Sequence, residues 1–99
     1  MDRFDTSRDE LQVGGLPLSM LAERVGQTPF YAYDRALIAA RIQAVRQVLP
    51  PGVRLHYALK ANPMPALVGF VRPLVDGMDV ASAGELKLAL DAGADVQSI

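Results

Sequence analysis

The order in which strand-like and helix-like segments alternate constrains this chain more than any other feature. Val53-Arg54-Leu55-His56-Tyr57-Ala58-Leu59-Lys60 is a strand-like run bounded by Gly52 and Pro63. Met64, Leu67, Val68 and Val71 then outline a helix, with Pro65 tolerable in its first turn and Pro73 ending or kinking it near Arg72. The arrangement repeats. Gly77 starts a second short strand through Ala81, and Ser82 to Glu85 forms an S-x-x-E capping box that opens a helix carrying Leu86, Ala89 and Leu90 and ending at Gly93. Residues 94–99 read as the start of a further strand. Strand, helix, strand, helix and strand again is the rhythm of a parallel α/β fold. Parallel strands need neighbours and helices on both faces, and two of them cannot close a sheet. A complete eight-stranded βα-barrel takes roughly 250 residues. The 99 residues are therefore expected to be the N-terminal piece of a longer protein, and independent folding of that piece is not assured.

The upstream part reads differently. Residues 1–15 are polar, end in Gly14-Gly15, and are expected to be a mobile lead-in. Leu18, Leu21, Ala22 and Val25 fall at helical spacing, with Gly26 as the stop. Thr28-Pro29 breaks the chain, and Phe30-Tyr31-Ala32-Tyr33 reads as an aromatic-rich strand. Asp34 can cap the next helix, in which Ile38, Ile42, Val45 and Leu49 form one apolar stripe. Arg35, Arg41 and Arg46 lie largely off the stripe and are expected to be solvated. Pro50-Pro51-Gly52 ends that helix.

Composition narrows the function. Half the residues are apolar (51%), which gives a core-forming chain. The net charge of −1 gives no electrostatic case for nucleic acid or an anionic membrane. No cysteine means no disulfide, thiolate metal site or cysteine nucleophile, and one histidine cannot build a multi-histidine cluster. The N-terminal residues lack the basic and apolar regions of a signal peptide, and no apolar run is long enough to span a bilayer. A cytoplasmic location is the expectation.

Alternation along the first strand puts Arg54, His56, Ala58 and Lys60 on one face and Val53, Leu55, Tyr57 and Leu59 on the other. The apolar face should meet helices, and the other would face a barrel lumen. Lys60 then lies at the C-terminal end of the strand, where βα-barrel enzymes carry their chemistry. Ala58 is small enough to admit a flat ring. Asp79, if its face also points inward, comes near Lys60. A lysine with acids nearby is the raw material of Schiff-base chemistry, although a lysine at a strand end is ordinarily just solvated. His56 reads as a satisfied lumen histidine rather than a catalyst, and Met64 and Met78 as packing residues.

Tyr57-Ala58-Leu59-Lys60-Ala61-Asn62 followed by Met78-Asp79-Val80-Ala81-Ser82-Ala83-Gly84-Glu85-Leu86 resembles the N-terminal half-barrel of the fold-type III pyridoxal-phosphate-dependent amino-acid decarboxylases, which include diaminopimelate, ornithine and biosynthetic arginine decarboxylases. The resemblance runs from near Leu16 to Ile99 and is closest in wording to the decarboxylase-like branch associated with exosortase systems. It implies the N-terminal part of a pyridoxal-phosphate-binding (β/α)8 barrel of the alanine racemase-like type. Residues 34–99 would supply that barrel's first helix and βαβα units. Residues 1–33 would contribute a lead-in, a helix and a strand to a β-rich domain.

Carried over by position, the resemblance implies that Lys60 forms the internal aldimine with pyridoxal 5'-phosphate and that Ala58 lies beside the cofactor. Asp79 and Glu85 would be carboxylates able to hold the lysine ammonium. Glu85 is also a good capping residue by itself, so a structural role stands beside the cofactor role. The family's phosphate-binding glycine-rich loop, stacked histidine, pyridine-nitrogen acid and catalytic cysteine would belong further along. The implied activity is decarboxylation of a basic or diamino amino acid by a homodimer. A racemase-like enzyme on the same barrel, or a non-catalytic regulatory or truncated relative, remain as alternatives. The Asn62-Pro63-Met64 sequence after the lysine favours decarboxylation over racemisation.

Overall fold

The computed structural model describes residues 10–99, which form two compact units divided after Ile38. In the first unit Gln12–Val13 (β1) and Leu16–Pro17 (β2) pair as an antiparallel hairpin, with Val13 opposite Leu16. The two-residue turn is Gly14-Gly15 at φ 60° and 78°, a left-handed backbone that glycine adopts without a Cβ penalty. Residues 10–15 are thus hairpin and turn rather than the expected mobile lead-in, because paired glycines favour a tight turn over a loose one. Residues 1–9 of that expectation lie outside the described residues.

Leu18–Val25 (α1) follows directly. Its first turn is capped by the Glu10 carboxylate, which accepts from the Ser19 amide at 2.6 Å and is held below the usual carboxylate range by bonding to Ser19. Gly26 closes the helix at φ 81° and donates to the Ala22 carbonyl. The strand expected at residues 30–33 is not formed: the backbone is irregular there and Tyr31 is 90% exposed. Aromatic residues suit a pleated surface only where another strand supplies ladder bonds, and among the described residues none pairs with this segment. Asp34 caps Arg35–Val48 (α2) as expected, accepting from the Ala36 and Leu37 amides at 2.9 and 3.3 Å. Its other oxygen accepts from the Gly14 amide at 2.9 Å.

The second unit carries the βαβα rhythm. His56–Ala58 (β3) and Gly77–Asp79 (β4) pair in parallel, with His56, Tyr57 and Ala58 opposite Gly77, Met78 and Asp79. Pro65–Val71 (α3) connects them, with Pro65 in its first turn, and Ala83–Asp91 (α4) follows β4. The strands are shorter than their apolar runs suggest. Residues 53–55 lie outside β3, and Val53 is 48% exposed. The chain turns at Leu59–Ala61 into a single 3-10 turn, so Lys60 sits just beyond the strand and not on it.

Leu59, Val68, Met78, Ala89 and Ala94 make the buried cluster, with Tyr57, Val75, Val80, Leu88, Ala92 and Ile99 packed around it. Tyr57 and Leu59 come from the face of the first strand assigned to the helices, and Met78 is the expected packing residue. The α4 helix packs on α3 and on the Leu59–Ala61 turn. Burying each larger member contributes about 1.5–3 kcal/mol.

Two further expectations fail in this unit. Residues 96–98 form a 3-10 turn, in which the Asp95 carboxylate accepts from the Gln97 amide at 3.1 Å. A side chain that satisfies the backbone locally competes with strand formation. Arg46, although partly exposed, is not merely solvated. It donates to both oxygens of Asp76 at 3.3 and 3.1 Å and twice to the Leu74 carbonyl, at 3.1 and 3.0 Å. Asp76 in turn accepts from the Leu55 amide at 2.7 Å and donates its own amide to the Leu55 carbonyl. The Leu55 amide bond, then the Arg46 guanidinium, holds the Asp76 carboxyl below its usual range. This knot ties the C-terminal half of α2 to the N-terminal ends of both strands. No helix among the described residues is long and apolar enough to cross a membrane.

Candidate active site

The site is built at the C-terminal ends of β3 and β4. Parallel pairing brings Ala58 opposite Asp79, so both project from the same face of the sheet. The turn after β3 is anchored on both sides of Lys60. Leu59 is completely buried in the core. The Tyr57 hydroxyl donates to the Asn62 carbonyl at 2.8 Å, spanning the turn from one side to the other. The Asn62 side chain accepts from the Met64 amide at 3.1 Å and so starts the approach to α3. Lys60 itself is exposed, on a turn held at both sides.

After β4, Ser82 caps α4 by accepting from the Glu85 amide at 3.1 Å. Glu85 reaches back and accepts from the Ala81 amide at 2.8 Å, one residue before the position a capping box ordinarily uses. That contact bends residues 80–82 around the end of the strand. The result is a cavity of about 250 Å³ lined by Ala58, Lys60, Asp79, Val80, Ala81 and Glu85.

All four sequence-predicted site residues therefore meet in one cavity. Among the described residues no carboxylate pairs with Lys60; the Asp79 partner is His56, whose Nδ1 lies 2.9 Å from Asp79 Oδ1. The expected approach of Asp79 to Lys60 is thus a shared cavity wall, not an ion pair. Sequence reading gave His56 no role. It also missed the Tyr57 hydroxyl and Asn62, which brace the turn. No signal in the linear sequence marks His56, because the register that sets Gly77 opposite it, and so leaves the ring room to lean toward Asp79, belongs to the folded strand pair.

The lining has one amine, two carboxylates and the small side chains of Ala58 and Ala81. An amine suits covalent capture of an aldehyde, carboxylates suit its ammonium form, and alanines leave room for a planar group. Residues 35–99 match the family described as "Pyridoxal-dependent decarboxylase, pyridoxal binding domain". The chain belongs to this family of pyridoxal-dependent decarboxylases. Among its curated relatives is the diaminopimelate decarboxylase of Pseudomonas aeruginosa, 40% identical over 96 residues, covering 96% of this chain and 23% of the relative. The diaminopimelate decarboxylase of Aquifex aeolicus is 42% identical over 84 residues, 85% of this chain and 20% of the relative. The L-glutamyl-[BtrI acyl-carrier protein] decarboxylase of Niallia circulans is 40% identical over 73 residues, 74% of this chain and 17% of the relative. The chain thus spans about a quarter or less of the length of these relatives. The family's pyridoxal cofactor fits the chemistry of the cavity lining.

Proposed function

We propose that this chain is the N-terminal part of a pyridoxal-phosphate-dependent carboxy-lyase acting on a basic or diamino amino acid, with Lys60 as the covalent anchor of the cofactor. The observation that carries this reading is the convergence of Ala58, Lys60, Asp79 and Glu85 on one cavity beyond the ends of two parallel strands. That is the end of a parallel βα unit where ligands are bound. In this reading residues 34–99 begin a (β/α)8 barrel, and residues 1–33 contribute to a β-rich domain. The working enzyme is a cytoplasmic homodimer.

The cofactor, when bound, supplies an electron sink for the pair left behind as carbon dioxide departs. The chain's own residues supply position and charge. Lys60 brings a primary amine to the cavity from a turn that Leu59 and Tyr57 hold still. Ala58 and Ala81 keep the adjoining space free of bulk. Asp79 and Glu85 line the same cavity and put two carboxylates within the space the Lys60 amine can sweep, where a charge-assisted hydrogen bond to its ammonium form would be about twice as strong as a neutral one. Glu85 serves from an oxygen that its capping role leaves over.

Borohydride reduction of the protein after incubation with pyridoxal phosphate tests the anchor. Peptide mass spectrometry should find the reduced adduct on Lys60, and Lys60→Ala should abolish it. An undiminished adduct in Lys60→Ala would refute the assignment. Carbon dioxide release, compared across diaminopimelate, ornithine, arginine and a carrier-bound glutamyl group, tests the substrate class. Turnover of the last alone would overturn the basic or diamino reading.

A further inference from the structure

His56 stands on the same sheet face as Ala58, one step from the cavity, and the reading above assigns it no task. Its Nδ1 lies 2.9 Å from Asp79 Oδ1. An ionised carboxylate can only accept, so Nδ1 carries the hydrogen and Nε2 is the other ring nitrogen of that tautomer. Opposite His56 in the register is Gly77, and a Cβ there would lie 2.6 Å from His56 Cε1 and 2.8 Å from Nε2. The missing side chain at Gly77 is what allows the ring to lie over β4 and reach Asp79. The pair is partly open to solvent, with the His56 side chain 33% and the Asp79 side chain 67% exposed. Asp79 without a partner would therefore be free to turn into water. Among the described residues its second oxygen, Oδ2, has no hydrogen-bond partner, and Asp79 lines the cavity that contains Lys60.

We propose that His56 is a positioning residue: by holding Oδ1 of Asp79 it fixes that carboxylate at the cavity wall, so that its charge acts on the nitrogen of Lys60. The inference rests on the function proposed above. The titratable groups that share the cavity with Lys60 are Asp79 from β4 and Glu85 at the start of α4, and His56 of β3 is hydrogen-bonded to Asp79. A carboxylate fixed beside a nitrogen favours its protonated form, and a carboxylate turned into water does so less.

The test uses the cofactor-loaded protein and follows, against pH, the absorption band of the covalently held cofactor, whose position reports whether the linking nitrogen is protonated. Asp79→Asn calibrates the full effect and should move the midpoint to lower pH. His56→Leu should move it in the same direction, by half or more of that shift. His56→Asn, whose amide nitrogen can stand where Nδ1 stands, should restore the wild-type midpoint. A side chain that only fills space would give no such ranking, with Leu tolerated at least as well as Asn. An unshifted midpoint in His56→Leu, with Asp79→Asn shifted, overturns the positioning role and leaves the proposed function intact. A wild-type protein that forms no such band overturns the proposed function and this role with it. A second measurement requires neither the cofactor nor a variant of His56. In the imidazole 15N spectrum of the unloaded protein Nδ1 should carry the hydrogen, and Asp79→Asn should change that signal; a bare Nδ1 in the wild type sinks the proposal.

Discussion

At Gly77 there is no room for a methyl group: a Cβ built there meets the Ser98 carbonyl and lies 2.6 Å from His56 Cε1. The backbone carbonyl cannot yield as a flexible side chain would. Gly77→Ala should therefore destabilise the protein by about 1–3 kcal/mol, the usual cost of forcing a methyl into packed space. It should also shift the His56 ring resonances, which a purely global loss of stability would not do in the still-folded fraction. Urea titration and a one-dimensional imidazole spectrum check the two halves of that expectation. Leu59 is a second residue whose cost can be stated. It is fully buried and adjoins Lys60, so Leu59→Ala should cost about 2–5 kcal/mol and loosen the base of the lysine turn. The loss should be visible in the denaturation midpoint and in slower formation of the borohydride-trapped adduct.

At the scale of elements, α4 separates two roles of one side chain. Glu85 both caps the helix and lines the cavity. Glu85→Gln keeps an oxygen that can accept from the Ala81 amide but removes the charge. It should retain stability, as read by thermal melting, while altering the absorbance of bound cofactor. Ser82→Ala does the reverse: it removes the bond from the Glu85 amide and should cost about 1 kcal/mol with little effect on the cofactor beyond that. Equal effects of the two variants on both readouts would mean that Glu85 acts only as a cap. The Leu59–Ala61 turn shows the same economy of position. A buried leucine, a tyrosine hydroxyl and an asparagine carbonyl hold it, and Lys60 is left exposed.

For the whole second unit, the Arg46–Asp76 knot couples folding to acidity. The Asp76 carboxyl is held below its unfolded value of about 4 by the Leu55 amide and the Arg46 guanidinium. The contribution is fully present above that unfolded value and is lost as pH falls through the lower folded one. Wild-type stability should therefore decline below about pH 4, and Asp76→Asn should flatten that part of the curve. Urea midpoints measured from pH 6 to pH 2 check it; parallel curves for the two proteins would remove Asp76 from the account. Because both partners are partly exposed, added salt should weaken the contribution.

Local rules carried much of this structure. The stop at Gly26, the Asp34 cap, the proline in the first turn of α3 and the Ser82 cap follow from backbone needs that one or two neighbouring residues meet. Alternation then told which face of β3 would be buried, and the motif around Lys60 told which residues to watch. The gathering of Ala58, Lys60, Asp79 and Glu85 was legible only as a conditional, since it required β4 to pair in register beside β3. What the linear order could not reveal was any contact made by a long side chain across elements. Arg46 looked solvated on its own helix, His56 looked idle on its own strand, and Phe30 to Tyr33 looked like a strand in the absence of a partner. Local conformation is decided by sterics and hydrogen bonds within a few residues, which a sequence displays. The partner of a guanidinium, an imidazole or a strand edge is decided by what the folded chain brings within 3 Å, roughly the length of a hydrogen bond, and only three dimensions show that.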